Sequence, residues 1–121
     1  MNEFGYEKLE VWKRSVELSC NIISIVDKPD TPRKHLRLFE QLEGASTSVP
    51  MNIAEGKGRY SKKEFVHFLY IARGSLYETV TLLEIFSKLT WLDKKDFACI
   101  KDEAKEIAKM LNSLINSIKN T

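Results

Sequence analysis

The sequence predicts an all-α protein, an antiparallel four-helix bundle with up-down-up-down connections. Apolar residues recur every three or four positions along four segments of the chain. Its 121 residues include 5 Gly and 3 Pro, too few for the many turns of a β-sandwich or β-barrel. The breaks between the four segments are short, and short connections join antiparallel neighbours. A chain of this length is expected to form one domain, residues 1–121.

Prolines and capping residues predict where the helices begin and end. Thr31 followed by Pro32 is typical of a helix start, and the prolines in this break disfavour helical backbone before them. Ser61 and Glu64 have the spacing of a capping box, and Asp93 is a second capping residue. These signals place the four helices at about residues 6–27, 32–55, 62–89 and 94–119.

The second helix contains a proline in its interior. Pro50 cannot donate a hydrogen bond to the carbonyl of Ser46, and its ring crowds that carbonyl. We therefore expect a kink or a one-turn break, with Ser46, Thr47 and Ser48 satisfying the freed backbone groups. The helix is expected to end near Gly56, because glycine suits the backbone conformation beyond a helix end.

Apolar residues form one stripe on the fourth helix but two on the third. The fourth helix carries Phe97, Ile100, Ala104, Ile107, Leu111, Leu114 and Ile118. The third carries one set at Phe65, Leu69, Ala72, Leu76, Thr79, Leu83 and Phe86, and a second at Phe68, Ile71, Leu82, Ile85 and Leu89. The second set is either part of a broad core face or a surface for another subunit. The first helix likewise carries two apolar sets. We expect the first and third helices to present apolar surface to another subunit, and hence a homo-oligomer.

Membrane and secreted classes are not indicated. No apolar run approaches the ~20 residues of a bilayer-spanning helix, and the first residues lack the basic and apolar regions of a secretory signal. We therefore expect a cytoplasmic protein. Cys20 and Cys99 are isolated and far apart in sequence, which predicts two reduced thiols that pack as small core residues.

Catalysis and metal binding are not predicted. Di-iron bundles repeat a Glu-x-x-His motif on two helices, whereas this chain has it once, at Glu64 and His67. Neither cysteine has a recognisable histidine and acid beside it, and the sequence contains no phosphate-binding P-loop. We expect no catalytic residue, metal or cofactor.

Positive charge is concentrated around the second helix. The net charge of the chain is only +2, but residues 31–63 carry 7 Lys+Arg against 3 Asp+Glu. The basic residues are Arg33, Lys34 and Arg37 at the helix start, and Lys57, Arg59, Lys62 and Lys63 at the following turn. In an up-down bundle these groups lie at opposite ends. The turn group is either a solvated loop or a site for nucleic-acid phosphates, with Tyr60 available to stack on a base.

Two motifs resemble a known family. The first is Ser48-Val49-Pro50-Met51-Asn52-Ile53-Ala54-Glu55-Gly56, and the second is Gly74-Ser75-Leu76-Tyr77-Glu78. Together they resemble the four-helix-bundle proteins encoded in intervening sequences of bacterial 23S ribosomal RNA genes. That family is similar in turn to the accessory variability determinant (Avd) of diversity-generating retroelements. The segments near both ends of the chain also fit, so the resemblance covers nearly the whole sequence.

The resemblance implies a closed homo-oligomeric ring, a pentamer in the related proteins of known architecture, without an assigned catalytic activity. In the retroelement branch the partner is a reverse transcriptase and its RNA. This chain departs from the family at two places. Glu43-Gly44 stands where members often carry a basic pair, and Thr90-Trp91 stands where they often carry Gly-Tyr. The first departure replaces positive charge in the second helix with negative charge.

Two glycines inside helices need a physical reason. Glycine costs about 1 kcal/mol relative to alanine within a helix. Gly74 lies near Ala72 and Ser75, whose small side chains would let another helix approach. We therefore expect Gly74, with Gly44 on the second helix, to lie at a close helix crossing.

The charged and polar motif residues predict a network beside this crossing. We expect Glu55 or Glu78 to form a partly buried ion pair with Arg59 or Arg73, since a buried charge needs a partner. Asn52 is expected to cap or bridge the same region.

The sequence thus predicts a non-enzymatic, oligomeric accessory scaffold that binds RNA or a nucleic-acid enzyme such as a reverse transcriptase through basic residues. The alternative is a pure protein-interaction module that binds its partner through Tyr70, Tyr77 and Trp91. A metal-dependent bundle enzyme is a more distant alternative, which stoichiometric iron or manganese would reveal.

Overall fold

A computed structural model of the protein describes residues 3–27 and 35–121, and these residues form four helices. A 3-10 turn, Gly5–Lys8, precedes α1 (Glu10–Val26), α2 (Leu36–Lys57), α3 (Lys62–Lys88) and α4 (Lys94–Lys119). Helices α1 and α3 each pack against both α2 and α4, which places them at opposite corners of the bundle. The predicted all-α four-helix bundle is confirmed, while its closure into a pentameric ring stays a prediction.

The core lies along the bundle axis and draws on every helix. Its fully buried apolar side chains include Ile22, Leu42, Ile53, Leu69, Leu76, Leu83, Phe86, Ile107 and Leu111. On α3 the first apolar set is buried except for the half-buried Phe65, whereas three members of the second set are exposed, namely Ile71, Ile85 and Leu89. The structured part of the chain therefore leaves apolar surface on the outer side of α3, whereas the two apolar sets of the first helix are buried or half-buried, so the expectation of a second such surface there is wrong.

The beginning of the first helix differs from the prediction. Tyr6 to Lys8 belong to the 3-10 turn, and Leu9 is extended (φ −79°, ψ 120°), so α1 begins at Glu10. Aromatic packing accounts for the break, because Tyr6 lies between the ring of Phe4, stacked 5.6 Å away, and the edge of Trp12 at 5.0 Å. Periodicity cannot distinguish this folded-back turn from a helical one.

Two predicted helix caps are confirmed. The hydroxyl of Ser61 accepts a hydrogen bond from the backbone N–H of Glu64 (3.1 Å), and the carboxylate of Asp93 accepts one from Lys95 (3.0 Å). The predicted Thr31 and Pro32 helix start lies outside the described residues. Among the residues that are described, no helix combines the length and the apolar character of a membrane span.

The two cysteines are not core residues. Cys20 and Cys99 are both free thiols with exposed side chains, so the expectation of buried thiols is wrong. The buried positions on that part of α1 are instead Leu18, Ser19 and Ile22. Serine is not an expected core residue because its hydroxyl is polar. The hydroxyl of Ser19, however, donates a hydrogen bond to the buried carbonyl of Ser46.

The α3–α4 connection closes one end of the bundle. Thr90 adopts a left-handed backbone conformation (φ 64°), which glycine adopts without strain. The half-buried ring of Trp91 then lies against His35, Phe39 and Phe86, at centroid distances of 4.7, 5.7 and 5.3 Å. Trp91 therefore packs within the chain, so it is poorly placed to anchor a partner protein.

Candidate nucleic-acid interface

The turn between α2 and α3 is compact and closely packed. The backbone N–H of Gly58 donates to the carbonyl of Ala54 (3.2 Å), and that of Arg59 donates to the carbonyl of Gly56 (3.1 Å). A Cβ atom on Gly56 would lie 2.7 Å from the Cβ of Phe68 and 3.1 Å from the ring of Phe65. Glycine at position 56 therefore allows the end of α2 to pack directly on the first turns of α3.

Two of the predicted cations lie on these same aromatic rings. The ammonium of Lys57 is 5.6 Å from the centroid of the Phe65 ring, and the guanidinium of Arg59 is 4.6 Å from that of Phe68. Arg59 also pairs with Glu55 at 3.4 Å, one helical turn earlier. Cation–π contacts restrict both side chains while leaving their charged ends accessible to solvent.

The other two predicted cations lie at the start of α3, beside the end of α4. Lys62 donates to the hydroxyl of Thr121 (3.1 Å). Lys62 and Lys63 line a shallow pocket of about 360 Å³ together with Lys119. We define the basic turn as Lys57, Arg59, Lys62, Lys63 and Lys119. Tyr60 lies in this turn and is fully exposed.

The charge pattern along the sequence does not indicate that Lys119 belongs to this site, but the predicted topology does. In an antiparallel pair the last turn of α4 lies beside the first turn of α3. The up-down topology therefore already placed the basic end of α4 at the basic turn.

The remaining predicted cations are not part of this patch. Arg37 is exposed in the first turn of α2, and the 22 residues of that helix span about 33 Å at 1.5 Å per residue. Arg33 and Lys34 lie outside the described residues. The structure thus brings together the turn residues and separates Arg37 from them by the length of the bundle.

Pro50 does not break its helix. Helix α2 is continuous from Leu36 to Lys57, so the predicted one-turn break is wrong, while a kink at Pro50 stays a prediction. The carbonyl of Ser46, which Pro50 leaves without its helical donor, accepts a hydrogen bond from the hydroxyl of Ser19 on α1 (2.8 Å). Ser46 and Thr47 donate to carbonyls earlier in α2, so the expected local compensation is replaced by a contact between helices.

Asn52 belongs to a polar contact between α2 and α3. Its amide donates to both the carbonyl and the hydroxyl of Ser48, each at 2.8 Å, and the hydroxyl of Ser75 donates to that of Ser48 at 2.9 Å. Asn52 thus bonds within α2, and the Ser75–Ser48 bond is the one that joins α2 to α3 and connects the two motifs on which the family resemblance rests. The bridging role of Asn52 itself stays a prediction.

The predicted close crossing at the other two glycines is wrong within the chain. Both Gly44 and Gly74 are exposed, and a Cβ atom on either would find no atom within 4 Å. The glycine that the fold requires is Gly56, because there the end of α2 packs closely on α3. The close approach is therefore at a helix end and not at a crossing of two helices.

The expected buried ion network is also corrected. The pair that forms, Glu55 with Arg59, is a surface pair whose side chains are 58% and 40% exposed. Arg73 donates instead to the amide oxygen of Asn112 (2.8 Å), and Glu78 is exposed. Exposed ion pairs contribute little to stability, about 0–1 kcal/mol.

A better-formed ion pair joins α1 to α4. The guanidinium of Arg14 donates to the carboxylate of Glu103 at 2.7 Å, which raises the pKa of Arg14 and lowers that of Glu103. Both side chains are about 30% exposed. Folding thus favours the ionised carboxylate. The stabilisation is complete above the ordinary pKa of 4.5 and is lost as the pH falls through the lower folded value.

The Glu-x-x-His motif has an ordinary structural role. The Glu64 carboxylate accepts a hydrogen bond from the Ser61 hydroxyl (3.2 Å) at the start of α3, and His67 is exposed. Within residues 3–27 and 35–121, no three histidine, cysteine or acidic side chains are grouped so that they could hold a metal ion.

Comparison with known proteins agrees with this fold. The sequence pattern of a family described as "23S rRNA-intervening sequence protein" matches residues 7–113. A solved structure from Bacteroides thetaiotaomicron VPI-5482, a protein of unknown function from the S23 ribosomal protein family, superposes with a TM-score of 0.81 at 25% identity, covering 88% of this chain and 95% of that one. No curated protein matches the sequence. Since the matched pattern spans most of the sequence, including both motifs, the chain belongs to the 23S rRNA-intervening sequence protein family.

Proposed function

We propose that this protein is a non-enzymatic, homo-oligomeric scaffold that binds RNA through its basic turn. The observation that carries the proposal is the convergence of five cations around a fully exposed tyrosine at one end of the bundle. Lysine and arginine neutralise phosphates, and an exposed aromatic ring offers a face on which a base can stack. The resemblance to the retroelement accessory proteins adds a reverse transcriptase as the enzyme that such an RNA would serve.

The packing of the turn supports the proposal because it orders the cations before RNA arrives. Lys57 and Arg59 lie over aromatic rings, and Gly56 fixes the position of those rings relative to α2. A preordered side chain loses less conformational entropy on binding than a free one. The basic turn is therefore better suited to phosphate contacts than a set of unrestrained surface lysines.

The outer faces of α2 and α3 support the oligomeric part of the proposal. Met51, Ile71, Ile85 and Leu89 are exposed apolar residues on these two helices. Gly44 and Gly74 are exposed as well, with open space where a side chain would be, so they offer a second subunit close access to the backbone. A closed ring would repeat the basic turn in every subunit and add the fields of the copies together.

The RNA-binding part is tested by the salt dependence of affinity. We expect log affinity to fall linearly with log salt concentration, and Ala at Lys57, Arg59, Lys62 and Lys63 to make the slope for a single strand shallower by about 3, since each neutralised phosphate contributes about 0.7. Lys13→Ala with Lys95→Ala is the matched control, because both lysines are exposed and lie outside the turn. An affinity that does not change with salt concentration, or that is unchanged by the four substitutions, contradicts the proposal.

The oligomeric part is tested separately by light scattering at several protein concentrations. A mass near that of one 14.0 kDa chain at all concentrations would contradict it. The two tests are independent, since a monomer can bind RNA and an oligomer can fail to do so.

A further inference from the structure

A second basic surface runs along the groove between α3 and α4. It begins at the basic turn and continues toward the opposite end of the bundle. Its cations are Lys62, Lys63, Arg73, Lys101, Lys105 and Lys119. Within the described ranges, the ion pairs Arg14–Glu103, Arg59–Glu55 and Lys109–Glu106 leave these six side chains without a carboxylate partner.

The charge count along the sequence conceals this groove. Residues 64–92 carry 2 Lys+Arg against 3 Asp+Glu, and residues 93–121 carry 6 against 5, so neither segment looks basic. In the structure, Glu103 turns toward Arg14 on α1 and Glu106 pairs with Lys109. The two pockets nearest the basic turn have no aspartate or glutamate among their lining residues, whereas the pocket between the end of α3 and the start of α4 includes Glu84. Helix α4 therefore separates its charges, with basic residues on the side of α3.

Near the basic turn, a tyrosine organises two of the cations. The guanidinium of Arg73 lies 4.9 Å from the centroid of the Tyr70 ring, and the ammonium of Lys119 lies 5.8 Å from it. Lys119 also donates to the hydroxyl of Tyr70 (3.2 Å), while Arg73 donates to Asn112 across the groove (2.8 Å). These contacts hold both cations beside the groove.

Farther along, the groove contains a cleft of about 280 Å³ with a mixed lining. Its floor is apolar and consists of Leu76, Val80, Ala104 and Ala108. The other lining residues are Tyr77, Thr81, Lys101 and Lys105. The ring of Tyr77 is 52% exposed, so one part of it packs while another faces solvent.

We propose that the α3–α4 groove binds single-stranded nucleic acid that continues from the basic turn, with a base against Tyr77 in the cleft and phosphates at the six cations. The proposal rests on the proposed RNA binding and names the form of RNA and its path. An apolar floor beside an aromatic ring suits the flat face of an unpaired base, whereas a simple anion would gain nothing from it. A duplex keeps its bases stacked inside and cannot fill the cleft.

The test compares a mixed-sequence single-stranded RNA oligonucleotide with the same RNA annealed to its complement. For Lys101→Gln with Lys105→Gln, we expect the salt slope for the single strand to become shallower by about 1.4, at about 0.7 per phosphate contact. For Tyr77→Leu, we expect about tenfold weaker binding of the single strand and unchanged binding of the duplex, because stacking on a ring is worth about that much per base. Lys13→Gln with Lys95→Gln is the control, and circular dichroism verifies that each variant folds.

The outcomes separate this proposal from the proposed function. If the groove variants bind as the control does while the basic-turn variant binds weakly, the groove proposal is overturned and RNA binding at the turn stands. If the wild-type protein binds neither probe at low salt, both fail. Equal losses of single-stranded and duplex binding on Tyr77→Leu overturn the placement of a base in the cleft.

Discussion

Replacing Ser19 with alanine should destabilise the bundle far more than its size suggests. The hydroxyl of Ser19 donates to the carbonyl of Ser46 across the α1–α2 interface, at 2.8 Å, and both residues are buried. In an ordinary helix the carbonyl of Ser46 would accept the N–H of residue 50, but residue 50 is proline. Ser19→Ala therefore leaves a buried carbonyl without a donor.

The expected magnitude is the difference between two opposing effects. A buried acceptor that loses its partner costs about 1–3 kcal/mol of unfolding free energy. Alanine at position 19 returns about 0.5 kcal/mol because its helix propensity exceeds that of serine. We therefore expect Ser19→Ala to lower the free energy of unfolding by about 0.5–2.5 kcal/mol.

A double-mutant cycle with Pro50→Ala isolates the cause. Alanine at position 50 restores an N–H aimed at the carbonyl of Ser46, since α2 is already continuous there. In that background Ser19→Ala should cost less than about 0.5 kcal/mol, which gives a coupling energy of about 1 kcal/mol. Urea denaturation followed by far-ultraviolet circular dichroism measures all four proteins at one concentration, because association would otherwise change apparent stability.

The control is Thr81→Ala on α3. Its hydroxyl donates to the carbonyl of Tyr77 at 2.8 Å, but that carbonyl also accepts the helical N–H of residue 81 itself, and the site is exposed. We expect no loss of stability there. If Ser19→Ala costs the same with proline or alanine at position 50, the carbonyl of Ser46 is not what Ser19 stabilises, and the reasoning is refuted.

Four further substitutions test the packing and electrostatics of the chain. Glu103→Gln should lower the free energy of unfolding by about 0.5 kcal/mol at neutral pH, because it removes the ion pair with Arg14. In acid unfolding curves this difference should vanish well below pH 4.5, where the carboxylate is protonated. A difference that does not depend on pH would contradict the ion-pair account. Gly56→Ala should lower the free energy of unfolding by about 1–3 kcal/mol through overpacking. Gly74→Ala should instead stabilise an isolated subunit by about 0.5–1 kcal/mol. Equal effects of the two substitutions in urea denaturation would contradict the packing account. Thr90→Gly should raise the thermal midpoint by relieving about 1 kcal/mol of backbone strain, and a lowered midpoint would count against that strain.

Local signals were sufficient to predict the four helices. The caps at Ser61 and Asp93 and the stripe along α4 each depend on residues only a few positions apart, and the structure contains all three. The first turn was mispredicted because Tyr6 packs on Phe4 and Trp12, a local cluster of aromatic rings that helical periodicity does not register.

Features that depend on contacts between helices were harder to predict. The hydrogen bond to the Ser46 carbonyl comes from the hydroxyl of Ser19, 27 positions away, and no pattern within α2 indicates it. Lys101 and Lys105 join Arg73 in one groove only because α3 and α4 pack with a particular rotation about their axes. Charge summed over segments averages the two sides of each helix and therefore loses this separation.

The fold and the proposed RNA site meet at Gly56. The two aromatic residues that approach Gly56, Phe65 through its ring and Phe68 through its Cβ atom, carry Lys57 and Arg59 over their rings. A side chain at position 56 would displace these rings, and the cations would move with them. Stability and affinity should therefore fall together in Gly56→Ala, whereas the surface substitutions of the basic turn should lower affinity with a much smaller loss of stability, because they remove only exposed contacts. The position of one glycine thus links the packing of α2 on α3 to the arrangement of charge that the RNA would meet.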